Sequence, residues 1–169
     1  MHGAGLPRID GACAGPRAAR GGGPSVEWSG EIELPAPAHR VRAMLRDPEV
    51  LARLLPASRD LRPAGPGRFA GEVVVGLPPL GARYPVSATA SEDEGALRLE
   101  AVGEGRAEGM ELQARCLLSA VGSGTRLRYR VRLELGTLAR WVPAWAAQRA
   151  VHDFLDQLRR EAEQARGRG

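Results

Sequence analysis

The sequence contains no lysine, since all 24 of its basic residues are arginine. We attribute this to codon bias in the genome rather than to a chemical requirement. Aromatic residues are also few, and they do not alternate with basic residues as on surfaces that bind single-stranded nucleic acid. The net charge of +4 arises at the two ends of the chain, because residues 1–24 carry a net +2 and Arg166 and Arg168 add the rest. The remainder is neutral, so no nucleic-acid partner is expected.

Cysteine is equally scarce, and no stretch is apolar for long enough to span a membrane or to form the core of a signal peptide. Cys13 and Cys116 are too few for a disulfide framework, so we expect two free thiols in a cytoplasmic protein. Residues 1–24 are rich in Gly, Ala, Arg and Pro. We expect them to be a disordered tail, or an over-extended start of the reading frame, and we expect the folded domain to cover residues 25–166.

The last third of the chain carries the clearest structural pattern. Between Thr125 and Leu135 the apolar residues occupy every second position, which is typical of a half-buried antiparallel strand. After Gly136 apolar residues recur at helical spacing over about six turns. They are Leu138, Trp141, Val142, Trp145, Val151, Phe154, Leu155, Leu158 and Ala162. This helix is predicted to cover the apolar face of the strands.

The chain as a whole predicts two short helices and seven strands before the long helix. A strand over residues 27–34 is followed by helices over residues 38–45 and after Asp47, whose carboxylate can cap a helix that begins with Pro48. Strands are then predicted over residues 58–63, 68–76, 80–90, 96–102, 109–120 and 124–135. Consecutive strands on short turns form an antiparallel meander. The sequence therefore predicts an α+β protein in which a curved, seven-stranded antiparallel sheet surrounds a long C-terminal helix.

The covered face of this sheet carries many glycines and alanines, which would leave space beneath the helix. We expect an apolar ligand cavity there, with its mouth between residues 77–79 and the start of the long helix. Solid packing around the tryptophans is the alternative. The predicted ligand-binding residues are Phe69, Val75, Tyr84, Met110, Leu112, Leu138, Trp141, Trp145 and His152. Of these, His152 would offer a polar contact to the ligand.

Candidate catalytic and metal-binding groups are few. Among the inward positions of the middle strands, Tyr84 has the only usable hydroxyl, and Cys116 is expected to be inert in apolar surroundings. No catalytic residue is therefore predicted. His152 and Asp156 lie one helical turn apart, but the pattern supplies no further ligands, so neither a metal site nor a cofactor is expected.

The alternating arginines of the last strand have two possible roles. Arg126, Arg128, Arg130 and Arg132 could form an anion-binding surface. If the last strand pairs with the first, however, they face the glutamates of residues 27–33. We expect this second arrangement, which gives a neutral, solvated surface.

Several short motifs follow one another along the chain. They are Asp47-Pro48-Glu49-Val50-Leu51 with Leu55-Pro56, Gly103-Glu104-Gly105, Gly124-Thr125-Arg126-Leu127 with Tyr129, Gly136 with Leu138-Ala139, and Phe154. In this order, over about residues 28 to 160, they resemble the CoxG-like family of carbon monoxide dehydrogenase subunits, which is part of the START-like, or SRPBCC, superfamily. The resemblance implies the START-like helix-grip fold. One departure is Ala57, where the family usually has Gly.

The same resemblance implies a function. It points to a non-enzymatic accessory protein that binds or carries a small hydrophobic ligand, quinone-like or lipid-like. It also implies a molybdenum-containing carbon monoxide dehydrogenase as partner, and a cytoplasmic location with contact at the inner face of the membrane. Two alternatives stay open: a polyketide cyclase or aromatase-type enzyme on the same fold, which would need polar groups inside the cavity, and an interaction module with a filled core.

Overall fold

The computed structural model describes residues 25–55, 58–75, 82–104, 109–136 and 142–168. The expectations for the tail at residues 1–24 and for the cavity mouth at residues 77–79 fall outside these ranges. The elements are β1 Ser25–Leu34, α1 Ala38–Met44, α2 Pro48–Leu54, β2 Ser58–Gly65, β3 Arg68–Val75, β4 Ala82–Asp93, β5 Ala96–Gly103, β6 Glu111–Val121, β7 Gly124–Glu134 and α3 Ala144–Arg166. The predicted order of strands and helices is confirmed.

The seven strands form one antiparallel sheet in the order β1-β7-β6-β5-β4-β3-β2. Strands β2 to β7 are a meander, and β1 pairs with β7. Between β4 and β5, Glu94 and Gly95 both have positive φ, 49° and 77°, as a two-residue hairpin turn requires. The sheet and helices together have the START-like helix-grip architecture that the sequence predicted.

The two short helices tie α3 to the sheet. α2 begins at Pro48, and the Asp47 carboxylate accepts a hydrogen bond from the backbone amide of Glu49 at 2.8 Å, so the predicted cap is present. The Arg53 side chain, near the end of α2, pairs with Glu161 of α3. From α1, the Arg40 guanidinium donates to the carbonyl of Ala165 in the last turn of α3. The C-terminal half of α3 is therefore held by both short helices.

The long helix begins later than its apolar spacing suggests. α3 starts at Ala144, directly after Pro143 in an extended conformation. A residue that precedes proline is disfavoured in the helical region, so Val142 cannot continue a helix from Gly136 into α3. Among the described helices, none is long and apolar enough to cross a membrane.

Candidate functional site

The inner face of the sheet, which packs against the helices, carries several small residues on its middle strands. Cross-strand register aligns five inner-face residues from β3 to β7: Phe69, Ala88, Ala101, Leu112 and Leu133. The two alanines lie between larger side chains. In the next row Gly71 and Gly103 flank Val86. The space beside Gly71 is filled by β2, since a β-carbon built on Gly71 would lie 3.2 Å from Leu61 Cδ1.

Two apolar clusters cover parts of this face. The first joins α1, α2 and the C-terminal half of α3 to the sheet; its fully buried large side chains are Leu34, Val41, Leu51, Leu54, Leu127 and Leu158. The second is smaller and consists of Val86, Met110 and Leu135, with Val73, Tyr84, Leu133 and Val142 packed against them.

A contiguous set of apolar residues belongs to neither cluster. Trp28, Val131 and Ala114 are direct cross-strand neighbours, and Leu112 and Ala101 form the adjacent pair. All five are only partly buried. We call these five residues the open strip. In the described part of the structure these contiguous apolar side chains keep some of their surface exposed, which makes the open strip a candidate ligand-binding surface.

Four of the predicted site residues lie on the inner face, but the structure does not bring all four together. Tyr84 and Met110 are in the second cluster, and Leu112 is in the open strip. Phe69 is buried in the first cluster. Val75 is on β3, but its side chain is outside the described part of the structure. Leu138 and Trp141 are outside the described residues altogether.

Trp145 and His152 do not lie on the buried side of α3, contrary to the sequence interpretation. The Trp145 side chain is 63% exposed, and His152 is also exposed. At 3.6 residues per turn, they point about 140° and 120° away from the fully buried Leu158. Ala147 occupies the buried position in the first turns instead. Among the described residues, no group of three His, Cys, Asp or Glu side chains could hold a metal ion.

The predicted site left out Trp28 and Tyr129, two aromatic residues of the inner face. Trp28 is in the open strip, and Tyr129 lies two positions before Val131 on β7, so both face the helices. Each occupies the apolar phase of an alternating strand, which was a signal that they point inward. Tyr129 therefore adds a second phenol hydroxyl to the inner face.

The chemical environment near Tyr129 is apolar. Cys116, directly opposite it on β6, is a free thiol packed against the first cluster. Burial raises the pKa of the Cys116 thiol to about 11. This thiol is therefore protonated at neutral pH and a poor nucleophile, as expected from its sequence context.

The outer face of the β1–β7 pair is neutralised by ion pairs. Glu31 and Glu33 are the cross-strand partners of Arg128 and Arg126. Arg128 Nε lies 2.8 Å from Glu31 Oε2, and Arg126 Nη2 lies 3.0 Å from Glu33 Oε1. The hydrogen bond from Arg128, with the charge of Arg126, lowers the pKa of Glu31. The expectation that the arginines of β7 face glutamates is confirmed for Arg126 and Arg128, whereas Arg130 lies opposite Ser29.

A cleft between α2 and α3 lies apart from the inner face. It encloses about 190 Å³ and is lined by Arg53, Leu54, Asp153, Asp156, Gln157 and Arg160. Charged and amide groups supply all of this lining except Leu54. An apolar ligand would remove water from those groups and offer no hydrogen bonds in exchange, so this cleft does not suit one.

Residues 30–165 match the model of the CoxG family, which is described as a subunit of carbon monoxide dehydrogenase. The chain belongs to this family. The match includes every residue of the open strip except Trp28. No functionally curated protein matches the CoxG-family chain.

Solved structures with low sequence identity share the fold of this CoxG-family protein. A conserved protein from Geobacillus kaustophilus has a TM-score of 0.70 and 18% identity, covering 83% of this chain and 97% of that one. A START superfamily protein from Mycobacterium smegmatis has a TM-score of 0.58 and 16% identity, covering 84% and 95%. A Streptomyces aromatase/cyclase has a TM-score of 0.60 and 13% identity, covering 83% and 94%. At these identities the likeness establishes the fold, and function must be argued from the site.

Proposed function

We propose that this CoxG-family protein binds a small hydrophobic molecule of the quinone or prenyl-lipid type on the open strip and carries it without chemical change. The observation that supports this most directly is the partial exposure of five contiguous apolar residues between two packed clusters. A flat or extended apolar molecule on this strip would remove their remaining surface from water, which is favourable at roughly 25 cal/mol per Å².

The side chains of the inner face support carriage rather than catalysis. In the described strands, the ionisable groups at inward positions are the phenols of Tyr84 and Tyr129, the thiol of Cys116 and the carboxylate of Glu92. Glu92 lies at the end of β4, where Arg42 binds it at 2.7 Å. A cyclase or aromatase needs an acid and a base that converge on the substrate, and these four groups do not supply that pair.

The family supports a partner and a location. Its name describes a component of carbon monoxide dehydrogenase, so we propose that the protein serves a molybdenum-containing enzyme of this kind. Because a quinone-type ligand resides in membranes, we also propose that the ligand is exchanged at the inner face of the cytoplasmic membrane. Co-purification of a tagged chain with dehydrogenase activity in its host would test the partnership.

Binding can be measured by titration calorimetry with short-chain quinones. We expect saturable binding to the wild-type protein, and we expect Ala114→Phe to weaken it at least about tenfold, because the larger side chain would occupy the open strip. Ala150→Phe is the matched control, since Ala150 is exposed on α3. The proposal fails if quinones do not bind saturably, or if the two variants bind equally well.

Tryptophan fluorescence tests the location of the ligand. A quinone ring on the open strip would lie beside Trp28, so Trp28→Phe should remove much of the ligand-dependent quenching. Trp145→Phe should leave the quenching unchanged, because Trp145 faces solvent. Turnover of a polyketide-type substrate by the purified protein would favour the enzyme alternative, whose fold this chain shares.

A further inference from the structure

The ring of Tyr129 occupies the space that a side chain at residue 30 would need. Gly30 is the cross-strand partner of Tyr129. A β-carbon built on Gly30 would lie 2.5 Å from the Tyr129 hydroxyl oxygen and 2.8 Å from Cζ. Both distances are shorter than any ordinary contact between these atoms. Only glycine at position 30 allows the phenol to lean across β1 in this way.

The Tyr129 hydroxyl is free to bind another group. Among the residues that the structure describes, it has no hydrogen-bond partner. The residue as a whole is partly buried. In the free protein such a hydroxyl can be hydrogen-bonded by water, and it can exchange that water for an acceptor atom of a ligand.

The hydroxyl adjoins the open strip. Trp28 and Val131 are each two positions from the Gly30–Tyr129 pair on the same face of the same two strands. A ligand ring on the strip therefore lies one residue pair, about 7 Å along the strands, from the phenol. The environment is apolar, as the raised pKa of the neighbouring Cys116 thiol indicates.

We propose that Tyr129 is a specificity residue whose hydroxyl donates a hydrogen bond to a neutral acceptor oxygen, such as a quinone carbonyl, of the ligand on the open strip. This inference rests on the proposed function. A neutral acceptor fits because the surrounding inner-face residues, Trp28, Val131 and Ala114, carry no charge to balance an ion. Tyr84 is the other inner-face phenol, but it packs in the second cluster with Met110, away from Trp28.

The test compares two ligands that differ in their carbonyl groups. 2-Methyl-1,4-naphthoquinone and 2-methylnaphthalene have the same fused rings, but only the first can accept a hydrogen bond. Each is titrated into the wild-type protein, Tyr129→Phe and Tyr84→Phe, with the dissociation constant as the readout. Tyr129→Phe removes one oxygen and keeps the ring over Gly30, and the circular dichroism and melting temperature of each variant confirm folding.

We expect Tyr129→Phe to weaken naphthoquinone binding about three- to tenfold and to leave methylnaphthalene binding unchanged. Tyr84→Phe should affect neither ligand. Equal binding of the naphthoquinone by wild type and Tyr129→Phe would overturn the role of Tyr129 and leave the proposed function intact. If neither ligand binds to the wild-type protein, the proposed function itself fails.

Discussion

Arg53 of α2 and Glu161 of α3 form an ion pair with two contacts, which joins α2 to the C-terminal half of α3. Arg53 Nε lies 3.0 Å from Glu161 Oε1, and Arg53 Nη2 lies 3.3 Å from Oε2. The hydrogen bond to Glu161 raises the pKa of Arg53. The two partners differ in exposure, since the Glu161 side chain is 13% exposed and that of Arg53 is 52% exposed. Loss of the arginine would leave a mostly buried carboxylate without its cation.

We therefore expect Arg53→Ala to lower the free energy of unfolding by about 1 kcal/mol, the upper end for a pair with one exposed partner. Arg160→Ala is the control, because Arg160 is exposed and makes one hydrogen bond of 3.3 Å, to Gln157. That variant should lose less than about 0.5 kcal/mol. Urea denaturation measures both values, and equal losses would show that the ion pair does not hold α3.

Much of the fold could be predicted because the two-residue alternation of strands and the 3.6-residue spacing of helices are both visible in the sequence. Strands with one covered face alternate apolar and polar residues, so their limits were placed within a few residues of β1 to β7. The pairing of β1 with β7 was expected from the helix-grip fold that the family resemblance implied, and arginines of β7 do lie opposite glutamates of β1. Asp47 and Pro48 marked the start of α2 because their chemistry suits no other helix position so well.

The site was harder to predict because it depends on which apolar residues stay uncovered. Alternation shows that Trp28, Ala101 and Leu112 point inward, but the gap between the two clusters comes from the tertiary placement of the helices. The helix phase was also misjudged at its start. Pro143 precedes the first residue of α3, so the apolar spacing of Leu138 and Trp141 does not continue into this helix. Trp145 was assigned to the buried side from that earlier spacing, but it is exposed.

The phase of α3 can be tested with two substitutions on the same helix. Leu158→Ala should lower the free energy of unfolding by about 2 to 5 kcal/mol, because Leu158 is fully buried and its loss leaves a cavity. Trp145→Ala removes a larger side chain but should cost less than about 0.5 kcal/mol, since Trp145 is mostly exposed. Chemical denaturation compares the two. A larger cost for Trp145 than for Leu158 would contradict the observed phase.

Acid should weaken the ion pairs of the outer face. The pKa of Glu31 lies below its ordinary value of 4.5, chiefly because Arg128 donates a hydrogen bond to the carboxylate. The stabilisation is therefore fully present above pH 4.5 and is lost as the pH falls through the lower, folded-state pKa. We expect the melting temperatures of wild type and Glu31→Gln to differ near neutral pH and to converge in acid. A constant difference at every pH would exclude this ionisation as the cause.

The buried thiol makes a prediction about reactivity. Because the pKa of Cys116 is raised from 9.0 to about 11, its thiolate fraction at pH 8 is about a hundredfold lower than that of an ordinary cysteine. In the Cys13→Ser variant Cys116 is the one thiol. Its reaction with an aromatic disulfide should be at least about a hundredfold slower in the native protein than in the protein unfolded in urea. Rapid labelling of the native variant would show that this part of the inner face opens readily.

The last prediction concerns a row of like charges on the outer face. Arg98, Arg115 and Arg130 are direct cross-strand neighbours on β5, β6 and β7. Asp93 pairs with Arg98 at 2.6 Å, whereas Arg130 has Ser29 as its neighbour on β1. Like charges directly opposite each other on a sheet are destabilising.

Reversing one charge in this row should therefore stabilise the protein. We expect Arg130→Glu to raise the free energy of unfolding by about 0.2 to 1 kcal/mol, because the new carboxylate would face Arg115. Arg128→Glu is the matched control on the same strand, and it should lower stability because it places a second carboxylate opposite Glu31. Urea denaturation at low and high salt measures both effects, which should shrink as salt screens exposed charges. A loss of stability in Arg130→Glu at low salt would contradict a destabilising repulsion along the row.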